Sequence, residues 1–250
     1  MEQLYNVNGL IFWSEREINA RKLVESHIVQ AVKDSLKGMN RAWEFFQCEA
    51  PILTPAEFVN KNYSDADLFA TPGTHPHQSM WDSVHVGAVD PLPNNRSEGQ
   101  LIARPETTMG SYEYAKFLLN PHNNIKVRMP LVVWQHGKSF RREQDQPTKF
   151  MRLKEFHQLE FQCIYSPTTA MDYSVNLVFA VAHALKRLVG ETRVMDSDRL
   201  PSYSEWTRDV EHVESGMELC SISQRKDFEG AKVLEVAVGT DRIVKHFLGL

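Results

Sequence analysis

The 250-residue chain is 42% hydrophobic and 24% charged, with a formal net charge of −4, the make-up of one globular domain with room for a full core. Its mild acidity argues against bulk capture of nucleic acid or anionic membrane and leaves open only a local basic patch. Cys48, Cys163 and Cys220 are too few and too scattered for a disulfide framework, and there is no CxxC pair, secretory signal or apolar run of roughly 18 residues, so a cytoplasmic protein with reduced cysteines is expected.

In chain order, Val24, Ile28, Val32 and Leu36 recur at helical spacing and predict a long amphipathic helix over 18–37, with Gly38 as its stop. RAWEFFQCEAPILTP reads as an aromatic and apolar strand ended by Pro51 and Pro55. Residues 60–99, rich in Asp, Pro, Gly, His and Asn, read as irregular loops with one short strand near 84–89. ARPETTMGSYEYAKFLL is a strand or turn entering a helix near Thr107 or Thr108. MPLVVWQHGKSFRRE and RLKEFHQLEFQCIY are two strands joined by a polar connection. SPTTAMDYSVNLVFAVAHALKRLV is a second long helix, with Ser166 as its cap and Pro167 just inside. The polar stretch TRVMDSDRLPSYSEWT precedes two strands, GMELCSISQ and AKVLEVAVG, and a short amphipathic helix, DRIVKHFLGL. This order predicts an α+β single domain over 1–250, a largely antiparallel sheet with helices grouped around it.

The pair of strands around 138–162 is unusual in what it lines up. Residues two apart share a face of a strand, so Arg141 and Glu143 lie together while Phe140 points away. On the second strand Arg152, Lys154, Phe156, Gln158 and Glu160 share a face, and Leu159, Phe161 and Cys163 point oppositely toward a core. A solvated face laced with ion pairs is the ordinary explanation. Against it, a ring at Phe156 gains nothing in water but suits stacking on a flat base, and arginine forks suit phosphate oxygens.

The spacing Phe140-Arg141-x-Glu143, then Arg152, Phe156 and Glu160, resembles the second motif of class II aminoacyl-tRNA synthetases, whose hairpin binds bent ATP. The resemblance implies that Arg141 holds the α-phosphate, Glu143 meets the adenine amino edge, Phe156 stacks on the ring and Arg152 reaches the outer phosphates. Upstream, FFQCEAPILTP resembles the first motif and implies a homodimer through the segment around Pro51. Downstream, KVLEVAVGTDRIVKHF resembles the third motif and implies that Arg242 lies against the other adenine face and pairs with the γ-phosphate. The implied fold is the antiparallel synthetase sheet flanked by helices.

Within that class the chain is most similar to glycyl-tRNA synthetases, through ARPETTMG, WQHGKSFRRE, GMELCSISQRKDF and VLEVAVGTDR. The similarity runs in patches from about Ala50 to Leu250, with 60–99 unmatched. It implies ATP-dependent activation of a small amino acid, glycine foremost, as an aminoacyl-adenylate, with transfer to tRNA or another acceptor. Arg141 and Arg242 would carry the charge that builds on phosphorus, with Mg²⁺ held by Glu218 and Ser221. Glu106 and Glu160 would hold the ammonium group, Gln158 and Ala237 would line the amino-acid pocket, and Arg104 would contact ATP or the substrate carboxylate. Two departures fall in the amino-acid half: Val236-Ala237 replaces a Pro-Ser pair, removing a hydroxyl, and Met109 replaces a glutamine. Glycyl enzymes continue into an anticodon-binding domain where this sequence stops at Leu250, so a catalytic core alone is expected.

His75, His77 and His85 raise the possibility of zinc, but their segment does not match the zinc-bearing class II enzymes, and loop histidines are expected. The competing function is a non-catalytic synthetase paralogue serving as a dimeric accessory or nucleic-acid-binding subunit. Arg141, Glu143, Arg152, Phe156, Glu218 and Arg242 are all present, which favours catalysis.

Overall fold

Alternation along three strands decides where the core lies. In the strand β8 (Glu155–Tyr165), Leu159, Phe161 and Cys163 are fully buried against helices, while Gln158, Glu160 and Gln162 point to the other face. Val132 and Trp134 of β7 (Leu131–Phe140) and Leu234, Val236 and Val238 of β12 (Lys232–Gly239) join the same hydrophobic layer. A computed structural model describes residues 5–7, 10–59, 63, 68–70, 101–141 and 152–250.

The main sheet has seven strands in the order β3-β7-β8-β12-β11-β10-β9, where β3 is Glu44–Gln47, β9 Thr192–Asp196, β10 Ser204–His212 and β11 Met217–Arg225. Only the β3–β7 pair is parallel, and the remaining neighbours run antiparallel. Three helices cover the hydrophobic face: α1 (Glu15–Met39), α3 (Ser174–Val189) and α4 (Thr240–Phe247). Val24, Ile28, Val32 and Leu36 form the buried stripe of α1, each with no exposed surface. That helix starts at Ser14, whose N–H donates to Glu17 (2.8 Å), and runs past Gly38 to Met39. A fourth helix, α2 (Thr108–Leu119), lies on the opposite face and seats Tyr112, Ala115 and Leu118 on Leu131, Val133 and Ile164. A small antiparallel sheet, β4 (Leu53–Pro55), β6 (Leu101–Ala103) and β5 (Phe69–Ala70), a 3-10 turn at Ala56–Phe58, and a hairpin of β1 (Tyr5–Val7) and β2 (Leu10–Phe12) complete the described elements.

The α+β antiparallel architecture is the expected one. Three local expectations differ. The aromatic segment at 41–55 makes two short strands in different sheets. The helix expected from Ser166 begins at Ser174, because Ser166 and Pro167 form a turn in which Thr169 N–H donates to Ser166 O (3.1 Å), and Asp172 instead takes the Ser174 N–H at 2.8 Å. The polar stretch 192–207 supplies β9 and the start of β10, strands at the outer edge of the sheet that remain partly solvated. The strand expected near 84–89 lies outside the described residues. Among the described residues no helix is long and apolar enough to cross a membrane.

Candidate active site

The polar face of the sheet, next to α2, gathers carboxylates in a dry setting. Thr107 and Thr108 open α2 directly over β8, and Thr107 donates to Glu160 Oε2 through both its N–H (3.1 Å) and its hydroxyl. Thr108 Oγ1 lies 3.2 Å from the same oxygen and 2.8 Å from Glu235 Oε2. Glu235, facing Gln162 across the β12–β8 ladder, also accepts from Gln162 Nε2 (2.8 Å), Arg225 Nη1 (2.7 Å) and Ser223 Oγ (3.3 Å). Arg225 turns its other edge to Asp227, with contacts of 3.0 and 2.6 Å, and stacks 4.0 Å from the Tyr203 ring. Glu106, just before α2, accepts from the Tyr63 hydroxyl at 3.1 Å through Oε2, while its buried Oε1 has no partner among the described residues.

Among the described residues, three buried carboxylates, Glu106, Glu160 and Glu235, share one region with the fully buried guanidinium of Arg225, and the buried Arg104 interacts with Glu160 as well. The electrostatic result is a charge imbalance. Burial, followed by repulsion from Glu235 and Glu106, pushes Glu160 up to about 7. Burial likewise raises Glu106, against the pull of Arg225.

The second half of the region is a cationic and aromatic rim at the open ends of β7 and β8. Arg141 N–H donates to Lys154 O (3.0 Å), its Nε to Pro105 O (3.1 Å) and its Nη2 to the Tyr63 hydroxyl (3.1 Å). Its guanidinium carbon lies 5.1 Å from the Phe156 ring and 5.4 Å from the Tyr63 ring. Tyr63, which accepts from Arg141 and donates to Glu106, therefore joins rim and carboxylate cluster. Across the sheet, Arg242 donates through Nη1 to Glu218 O at 2.8 Å and approaches Glu218 Oε2 at 3.9 Å. A register shift between Val210 and Glu211 places both Leu219 and Cys220 in the core, which returns Glu218 to the face of Ser221. The Glu218 carboxyl is held above the usual carboxylate range by partial desolvation, against the pull of Arg242, although its side chain is half exposed. Of the two arginines, Arg242 is the one in direct contact with Glu218.

The structure brings most of the expected residues together. Arg141, Phe156, Gln158, Glu160, Ala237, Ser221, Glu218 and Arg242 occupy one face, with Ala237 opposite Glu160 on one side and Ser221 on the other. Gln158 is buried and its Oε1 has no partner among the described residues. Arg152 sits half-buried just before β8. Arg104 differs from expectation. Its Nε donates to Lys138 O (2.8 Å) and its Nη1 to Ala50 O (2.6 Å) and Gln135 Oε1 (3.1 Å), so it braces β7 against the 50–51 segment instead of presenting these donors to a ligand. Met109 lines a cavity of about 410 Å³ between α2 and the 48–59 segment, with Pro51, Leu53, Phe58 and Phe117. Glu143, His75, His77 and His85 lie outside the described residues. Among the described residues no group of three or more His, Cys, Asp or Glu is placed to hold a metal. Four contributors were not singled out from the sequence: Glu235, Arg225, Tyr63 and Gln135. A carboxylate amid the apolar run VLEVAV was the one available signal.

The family model of the tRNA synthetase class II core domain (G, H, P, S and T) matches residues 93–240, more than half of the chain. This chain belongs to the class II tRNA synthetase core family. Glycine–tRNA ligase of Macrococcus caseolyticus is 31% identical to this class II core over 140 residues, covering 53% of this chain and 30% of the ligase. That of Alkaliphilus metalliredigens is 26% identical over 219 residues, 84% of this chain and 44% of the ligase. Prolyl-tRNA synthetase from Cryptosporidium parvum, solved with halofuginone and AMPPNP, superposes with a TM-score of 0.70 at 13% identity, over 98% of this chain and 48% of that one. The Giardia lamblia prolyl-tRNA synthetase, in complex with prolyl-adenylate, gives 0.65 at 17%, over 98% and 49%. These structures share the fold of the class II core, which spans less than half the length of the curated ligases it matches.

Proposed function

We propose that this class II core activates a small amino acid, glycine first, as its adenylate and passes the acyl group to an acceptor such as tRNA. The observation that carries the reading is the buried surplus of carboxylate at Glu106, Glu160 and Glu235, joined through Tyr63 to the Arg141–Phe156 rim. An α-ammonium group satisfies that surplus, and the crowded walls exclude long side chains. The substrate carboxylate oxygen then attacks the α-phosphorus of ATP, forming the mixed anhydride and expelling pyrophosphate. Negative charge grows on phosphorus, so fixed donors matter most, and loss of Arg141 costs about 10²- to 10³-fold.

Phe156 and Arg242 flank the purine in this reading. Arg152 and Glu143 serve the outer phosphates and the adenine edge. Gln158 and Ala237 line the amino-acid side, and Arg104 acts through the segments it braces. Glu218 and Ser221 present hard oxygens on one face beside Arg242, a donor set that fits Mg²⁺ shared with phosphates, and the ion would supply positive charge against those oxygens. The protein works in the cytoplasm as a homodimer through the face around Pro51, where Ile52, Leu53, Phe58 and Phe117 stand exposed.

ATP–pyrophosphate exchange with each of the twenty amino acids separately, with Arg141→Ala as blank, tests the reading, and a tRNA charging assay addresses the acceptor. Exchange with glycine alone supports it. Silence with all twenty, or exchange undiminished in the blank, overturns it in favour of a non-catalytic accessory subunit.

A further inference from the structure

The two side chains proposed to flank the purine belong to different elements, and what sets the distance between them lies behind the sheet. Phe156 precedes His157 on β8, and Arg242 follows Asp241 on α4. The β8–β12 ladder ends at the pair Gln158–Gly239. Immediately past that pair, a side chain replaces the ladder: His157 N–H donates to Asp241 Oδ2 at 2.8 Å, and His157 Nδ1 stands 3.2 Å from Asp241 Oδ1. Thr240 Oγ1, one residue earlier, lies 3.2 Å from His157 O.

This junction is dry and supported on its far side. Asp241 is 3% exposed. Its Oδ1 meets Arg21 Nη2 at 3.3 Å, and the Arg21 guanidinium lies 4.6 Å from the Trp13 ring, which packs edge-on to His157. Thr240 is held in turn by His136, whose other ring nitrogen meets Glu25 at 2.7 Å. Arg21 and Glu25 of α1 therefore hold the start of α4 against His157, the β8 residue that follows Phe156. On the ligand face, the Arg242 side chain runs over Gly239, its Cδ 3.7 Å from where a Cβ would stand. Gly239 and Gln158 thus floor the slot between Phe156 and Arg242.

We infer that Asp241 is a positioning residue for the nucleotide: by gripping the His157 backbone it sets the width of the slot between Phe156 and Arg242. The inference rests on the reading of that slot as the ATP site. Asp241 and Arg21 lie on the helical side of the sheet, so neither touches the nucleotide and their substitution acts on it through the placing of His157 and Arg242. Loss of the grip lets one wall of the slot drift, which weakens purine stacking and leaves the carboxylate cluster intact.

The test measures binding of a fluorescent ATP analogue to the full chain without amino acid, together with KM values for ATP and amino acid in the exchange assay. In Asp241→Ala the ATP affinity falls about tenfold, the scale of a lost stacking contact, while KM for the amino acid is unchanged. Asp241→Asn keeps an acceptor for His157 N–H and restores near-native ATP affinity. Arg21→Met, remote from the slot, shifts ATP affinity in the same direction and keeps the idea testable if Asp241→Ala does not fold. A purely structural role lowers the active fraction in all variants with ATP affinity of the folded protein unchanged, and that result overturns the inference. Failure of the wild-type chain to bind the analogue at all instead removes the ATP-site reading beneath it.

Discussion

Arg225 Nη1 lies 2.7 Å from Glu235 Oε2, with the Arg225 side chain fully buried and that of Glu235 only 9% exposed. Removing one member of such a pair strands the other charge. Arg225→Met is therefore expected to cost about 3–5 kcal/mol of stability, read from urea unfolding, and Glu235→Gln distinctly less because the amide still accepts from Arg225. Equal costs for the two variants would show that the stranded charge is not what matters.

The raised Glu160 carboxyl links stability to pH. The folded state holds a proton up to about pH 7, whereas the unfolded chain releases it near 4.3. Between those values the folded state binds more protons, so stability falls as pH rises through the window. Urea midpoints taken across that range should decline for the wild type, and Glu160→Gln should flatten the decline. A bound ammonium group favours the ionised form, so amino-acid binding at pH 6 should release protons, measurable by calorimetry in buffers of differing ionisation enthalpy.

Gly137 has a packing role. A Cβ there would stand 2.2 Å from Arg104 Nη2, and Arg104 is held by the carbonyls of Lys138 and Ala50 and by Gln135. Gly137→Ala should destabilise by about 1–3 kcal/mol through overpacking. Gly38→Ala, at a helical position where an added Cβ meets nothing within 4 Å, should stabilise by up to about 1 kcal/mol. Thermal midpoints moving in opposite directions would bear this out.

Leu53 is 47% exposed and Phe117 50%, both on the rim of the apolar cavity beside α2. If that face is the proposed dimer contact, Leu53→Asp should halve the mass measured by light scattering without altering the unfolding midpoint of the isolated subunit. An unchanged mass would move the contact elsewhere.

Long, periodic segments were legible in the sequence: the α1 stripe and the β7–β8 pair follow from spacing, and β12 from its apolar run before the amphipathic α4. Edge strands were not, because β9 and the start of β10 keep solvated faces and read as polar loop. The late start of α3 was hidden by Ser166 and Pro167, which serve a turn as well as they serve a cap. At the site, the motif residues on β8 were readable by parity of position. Glu235 was not, since a strand buried on both faces gives no alternation to mark its carboxylate. Tyr63 and Gln135 carry no local pattern, and their places depend on contacts across 43 and 28 residues, to Glu106 and Thr107.

From Gln158 to Cys163 the sheet separates hydrocarbon from polar groups by the thickness of one backbone, and the centre of β8 runs along that divide. A saturation scan along it should therefore sort by odd and even residue number. Changes at 159, 161 and 163 should lower yield and melting temperature with turnover per folded molecule intact, whereas changes at 156, 158 and 160 should leave a well-behaved protein that has lost its substrates. One strand would thus read out, position by position, as two interleaved phenotypes.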